Sequence, residues 1–271
     1  MPFEPEDELG GNYTQSKDSK ALGGLDIVAF GLKGQPGPIL DDQIVLVYPG
    51  ETPYVGMLGL SPRPTNLTLN NPIKSPLETL VHDKIVPSHY FAYTAGAYYR
   101  DSPFASLTFG GYDAGRGNVD NVLTVLMNEA ENRDLEVTIA GIDISGGHGS
   151  ALNTPTKAFI DSVVAELWLP LETCQVFESA FGLVWNDVYD MYLISEAQHA
   201  RLTSQNSSVT FTLGDDSAES TQIVLPYSAF DQVASYPLAG IQDESAVYYF
   251  PLKRAYDESQ YYLGRTFLQE A

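Results

Sequence analysis

The sequence predicts an all-β fold, and three observations carry that expectation. Gly (23), Pro (17) and Tyr (17) are frequent while charged residues make up only 18% of the chain, a composition suited to turns and pleated surfaces rather than to a helical bundle. Short segments rich in β-branched and aromatic residues recur, bounded by Gly, Pro or Ser. Some of them alternate apolar with polar residues, the period of a half-buried strand. With 271 residues, 44% of them hydrophobic, the chain can build a real core in one large domain or two lobes.

Residues 1–22 are polar and read as a loop segment. Ile44-Val45-Leu46-Val47-Tyr48 and Tyr90-Phe91-Ala92-Tyr93 read as strands. Between them, Ser75-Pro76-Leu77-Glu78 is a capping box with proline at the first helical position, and Leu77, Leu80 and Val81 then line one helix face. Val122-Leu123-Thr124-Val125-Leu126-Met127 reads as a further strand. Leu135, Val137 and Ile139 alternate with Glu136 and Thr138, a strand with its apolar set inward. The Gly/Ser/Asn/Pro-rich stretch from Gly146 to Pro155 reads as the connection between halves, giving regions 23–150 and 151–271. After Pro170, Cys174, Phe177 and Phe181 repeat at helical spacing and Gly182 is a natural stop. Val209 to Leu213 alternates and ends at the turn-forming Gly214-Asp215-Asp216.

The formal charge is −21, from 14 Lys+Arg against 35 Asp+Glu, which makes nucleic acid and anionic membrane surfaces poor partners. Work at acidic pH fits that charge, and so does a soluble acidic protein with no special habitat. No apolar run is long enough to span a bilayer, and the acidic N-terminus is no secretory signal. Sequons at Asn12, Asn66 and Asn206 are glycosylation candidates. Cys174 stands alone. His82, His89, His148 and His199 are scattered without metal-ligand spacing, so no metal and no cofactor are expected.

Phe159-Ile160-Asp161-Ser162 is the stretch that points to chemistry. An apolar strand ending in an acid and a hydroxyl delivers a carboxylate to a protein interior, which is costly unless the acid has partners or a task. Asp143, in Gly141-Ile142-Asp143-Ile144-Ser145-Gly146, has a similar look but reads as a strand-end turn. Asp18-Ser19 lies between Lys17 and Lys20 with no apolar strand leading into it.

Several segments in order resemble pepsin-type aspartic peptidases, the fungal secreted or vacuolar kind. These are Gly24-Leu25-Asp26-Ile27-Val28, Gly56-Met57-Leu58-Gly59-Leu60, Leu107-Thr108-Phe109-Gly110-Gly111-Tyr112-Asp113, Phe159 to Ser162 followed by Leu167-Trp168-Leu169-Pro170, and Tyr262-Leu263-Gly264-Arg265-Thr266-Phe267. The last resembles the family's apolar-Leu-Gly-Asp-apolar-Phe segment. The resemblance implies a bilobed pepsin-like fold with an incomplete first lobe and a nearly complete second one. It implies a secreted or vacuolar setting and a peptide or protein substrate held in an extended cleft. Asp161 is then the second-lobe catalytic aspartate and Ser162 its supporting hydroxyl. Gly56 and Gly264 are the glycines that thread the active-site loops, and Tyr13 stands near the place of a flap tyrosine. The family pairs two aspartates that share a proton and activate a water. Here the first-lobe aspartate is expected upstream of Gly24 and none qualifies, while Val163 and Val164 replace the usual Gly and Thr or Ser. Both ends read as clipped relative to the family, and the disulfide partner of Cys174 would lie beyond Ala271. The expectation is an impaired or inactive endopeptidase homologue. Alternatives are a peptide-binding pseudoprotease and a homodimer using two copies of Asp161.

Overall fold

A computed structural model describes residues 2–3, 21–31, 34, 36–47, 56–64, 72–102, 104–115, 122–128, 133–214, 219–235 and 246–271. The chain divides into two compact units, one of Met1–Tyr93 with Leu107–Gly117, the other of Thr94–Ser106 with Asn118–Ala271.

The first unit is built on a β-hairpin. Strand β1 (Pro2–Phe3) pairs with the start of β2 (Ala21–Ala29), which runs antiparallel to β3 (Ile39–Val47) from Leu22↔Val47 to Ala29↔Ile39. Helix α1 (Pro76–His82) begins at the expected capping box: Ser75 Oγ accepts from the Glu78 N–H at 3.1 Å, and the Glu78 carboxylate accepts from the Ser75 N–H at 3.4 Å. Leu77 and Leu80 are buried as the periodicity requires. Val81 is only half-buried, and Thr79 takes the inward position instead. Its hydroxyl can be buried because it donates to the Ser75 carbonyl at 3.0 Å and accepts from Gln43 Nε2, also at 3.0 Å, tying α1 to β3. Strands β4 (Phe91–Thr94) and β5 (Ser106–Phe109) pair at the unit's margin.

The second unit carries the large mixed sheet. Its strands are β6 (Glu136–Ile144), β7 (Gly149–Ser150), β8 (Thr156–Ile160), β9 (Leu167–Leu169), β12 (Val209–Gly214), β13 (Ser220–Leu225), β16 (Leu252–Arg254) and β17 (Tyr262–Leu263). The lateral order is β13-β12-β6-β8-β17-β9-β16, with β7 paired to β6. A second sheet of β10 (Trp185–Asn186), β11 (Met191–Ile194), β14 (Gln232–Ser235) and β15 (Ala246–Phe250) has the order β10-β11-β15-β14. Helices α2 (Leu171–Phe181), α3 (Glu196–Gln205), α4 (Tyr227–Phe230) and α5 (Arg265–Leu268) complete it. Residues 146–155 turn the β6–β7 hairpin and lead into β8, inside this unit. The 94–106 segment belongs here because Ala95 N–H donates to the Leu268 carbonyl, while Tyr99 and Arg100 both bond the Glu270 carboxylate.

Helix α2 follows its sequence pattern. Cys174, Phe177 and Phe181 are buried, and Gly182 caps the end at φ 71°, a conformation glycine takes without steric cost. Phe181 packs with its centroid 5.0 Å from Phe250, which stacks on Phe230 at 4.8 Å. These rings form the centre of the unit's core.

One expected strand is absent and another is present with its starting phase shifted. Residues 122–127 form no strand among the described residues, and Leu126 is 90% exposed; apolar β-prone residues need a neighbouring strand to bond, and none of the described strands pairs with them. At the start of β6 the phase is reversed, with Leu135 exposed and Glu136 buried. The carboxylate is tolerated because Arg133 and Asn128 donate to it and Lys157 sits 3.4 Å away. Beyond Ile139 the apolar residues Ile142 and Ile144 face inward again.

Phe181→Ala should cost about 3–5 kcal/mol, read as a lowered urea midpoint of the second unit, because it opens a void among rings fixed from three elements. Unchanged stability would mean that the core collapses around the gap.

Candidate active site: the Asp161 loop

Strand β8 buries Ala158 and Phe159 and ends at Ile160, so the half-buried Asp161 is the first residue of the loop that follows. Strand β17 lies between β8, with which it is parallel (Leu263↔Ile160), and β9, with which it is antiparallel (Leu263↔Leu167). The loop 161–166 that joins β8 to β9 must therefore cross the end of β17. Gly264 occupies that crossing. A Cβ there would lie 2.5 Å from the Val164 carbonyl oxygen and closer still to that of Glu166, so only glycine lets the two backbones pass.

The crossing is held by a short ladder. Asp161 N–H donates to the Leu263 carbonyl at 3.2 Å, and Arg265 N–H donates to the Val164 carbonyl at 2.8 Å. Thr266 donates twice to the Ala165 carbonyl, from its N–H at 3.1 Å and its hydroxyl at 2.9 Å. Arg265 Nη1 donates to the Ser162 carbonyl at 2.9 Å and the Val163 carbonyl at 2.8 Å. Asp161 Oδ1 accepts the Val163 N–H at 2.8 Å, closing a tight turn at the loop's start. None of residues 161–166 has a positive φ, so valine at 163 and 164 strains no backbone. What valine changes is chemistry: it adds bulk and supplies no hydroxyl.

The remaining candidates are placed separately. Gly56 lies in irregular, exposed chain with nothing within 4 Å of a Cβ at that position, so the described residues contain no close crossing there like that at Gly264. Tyr13, Asn12 and Asn66 fall outside the described residues. Asn206 caps α3 at φ 45° and is exposed. Asp143 is exposed on β6, opposite Thr210 and Ser150. His82 bonds Asp83, His199 bonds Asp231 at 3.0 Å while stacked on Tyr248, and His89 and His148 are exposed. Among the described residues no three His, Cys, Asp or Glu side chains come together as metal ligands. No helix among them is long and apolar enough to cross a membrane.

Three contributors escaped sequence reasoning. Arg265 and Thr266 hold the Asp161 loop, and the visible signal was a cation at 265 where the resembling pattern has an acid. Glu136 pairs directly with Phe159 of β8 and anchors it. Burial alone would raise its pKa, but the Arg133 and Asn128 hydrogen bonds and the Arg133 and Lys157 charges outweigh that and hold it below the ordinary glutamate range. Two further groups are chemically quiet. Burial pushes the Cys174 thiol up to about 12, and its Sγ faces the Leu169 and Lys253 carbonyls. Burial, reinforced by the charge of Glu166, pushes the Tyr249 phenol up to about 12.

Two outcomes follow for this site. Gly264→Ala should prevent the β17 crossing and cost several kcal/mol, measured as loss of cooperative unfolding in the second unit; wild-type stability would show that the loop yields easily. Because the Glu136 pKa is lowered on folding, its stabilisation is present above the unfolded value of about 4.3 and is lost as pH falls through the folded value. Glu136→Gln should flatten the acid limb of the stability–pH curve, measured by urea unfolding from pH 6 downward to about pH 2. An acid limb as steep as the wild type's would remove Glu136 from that account.

No protein-family model and no curated protein matches this chain. Solved structures do, among them the aspartic proteinase from Irpex lacteus. That structure is 17% identical, with a TM-score of 0.58 over 86% of this chain and 68% of the proteinase. The chain is thus mostly β, with a large mixed sheet and a fold similar to that of a pepsin-like aspartic proteinase.

Proposed function

We propose that this chain is an aspartic-endopeptidase homologue that holds extended polypeptide over the Asp161 loop and hydrolyses it poorly or not at all. The observation that supports the reading best is the crossing of Leu263–Gly264 through the loop that begins at Asp161, which presents one carboxylate beside a rigid backbone turn. Hydrolysis by this chemistry needs a base to take a proton from water and an acid to protonate the departing amide nitrogen. Two coupled carboxylates sharing one proton fill both roles, whereas a lone carboxylate holds one state at a time. The 271 residues contain no Asp-Thr-Gly or Asp-Ser-Gly, and Val163 and Val164 supply no hydroxyl to steady the acid. An acidic, secreted or vacuolar setting accords with the charge of −21.

The test combines cleavage with binding. The folded protein is incubated with a denatured protein substrate from about pH 3 to 7, with and without a statine-type inhibitor, beside Asp161→Asn. The expected result is no inhibitor-sensitive cleavage, together with saturable binding of the statine peptide that Asp161→Asn weakens. Cleavage abolished by the inhibitor and by Asp161→Asn would overturn the impaired reading and require a second carboxylate, from this chain or from a second copy of it.

A further inference from the structure

Arg265 uses its donors unevenly. Both hydrogens of Nη1 are directed to loop carbonyls, of Ser162 at 2.9 Å and Val163 at 2.8 Å. Neither Nε nor Nη2 has a protein acceptor among the described residues, and the residue is exposed. A guanidinium is a planar fork of fixed donors, and its Nε–Nη2 edge matches the spacing of two carboxylate oxygens. The backbone N–H of Arg265 is also tied to the loop, at the Val164 carbonyl. The side chain is therefore anchored at both ends, with a bidentate edge left over. Ligand binding there does not have to freeze a freely rotating arginine, which is the usual entropic penalty. Asp161 stands in the same loop, next to the Ser162 carbonyl that Arg265 holds, and the charges of Arg265 and Glu166 both act on Tyr249. Burial keeps Tyr249 neutral through the working pH range, so its phenol adds no competing charge.

We propose that Arg265 forms a carboxylate-binding subsite beside Asp161, selecting extended peptides that carry an acidic side chain. The proposal rests on the peptide-binding reading above and deepens it. The overall charge of −21 opposes acidic ligands at long range, so any preference for them has to come from a local contact of this kind.

Short extended peptides in which one Glu is moved along the sequence are titrated against the protein, each beside its Gln counterpart, with Arg265→Gln and Arg265→Lys as variants. At one peptide position Glu should bind about tenfold tighter than Gln. Arg265→Gln should abolish that preference, lowering Glu-peptide affinity about tenfold more than Gln-peptide affinity; Arg265→Lys should restore part of it, since an ammonium keeps the charge and loses the fork. Equal binding of Glu and Gln peptides at every position overturns the subsite alone. So does a parallel loss of both affinities in Arg265→Gln, which would mean that the arginine acts only by ordering the loop. If neither peptide binds, the peptide-binding reading falls, and the Arg265 Nε–H resonance then decides the subsite. A saturable shift with succinate and none with succinamide sustains it, whereas no shift with either ends it.

Discussion

The second unit depends on two backbones passing at Gly264. The β17 strand lies between the strands that the Asp161 loop connects, so loop and strand are interlocked rather than stacked. Nothing larger than a hydrogen fits at the crossing. This one steric condition fixes the height at which Asp161 leaves β8. It fixes the line on which Arg265 and Thr266 meet the loop carbonyls. It also makes the loop's order a property of the sheet, since the Asp161 N–H is bonded to Leu263 and cannot move without it. A carboxylate placed in this way is preorganised by the sheet crossing together with the Val163 N–H that it accepts.

Much of this was legible in the residues. The capping box at Ser75–Glu78, the Cys174-Phe177-Phe181 face and the Gly182 stop are local signals, and local signals survive because they need no tertiary partner to be read. The order of the apolar segments pointed to the fold. What failed were statements that depend on a distant partner. Residues 122–127 have strand-like composition and pair with no strand among the described residues. Glu136 is buried because Arg133, Asn128 and Lys157 converge on it, which no periodicity can announce. Arg265 was visible as an odd residue in a familiar segment, but its hold on Ser162 and Val163 spans more than a hundred positions.

The loop separates two requirements that are usually met together. Its geometry needs glycine at 264 and places no demand for glycine at 163, since no residue from 161 to 166 adopts a left-handed conformation. Its chemistry, by contrast, depends on what stands at 163 and 164. The architecture therefore tolerates Val163-Val164. Packing and site chemistry are specified by different residues here, glycine at 264 for the one and positions 161–164 for the other.

Cys174 has a consequence of another sort. It is the single cysteine of the chain, fully buried on α2 and held protonated. Oxidants and thiol reagents act on an accessible thiolate, so they reach this sulfur only when α2 lifts from the sheet. Its chemistry is thereby slaved to the opening of the second unit. The rate at which a thiol reagent modifies Cys174 therefore reports how often the second unit opens.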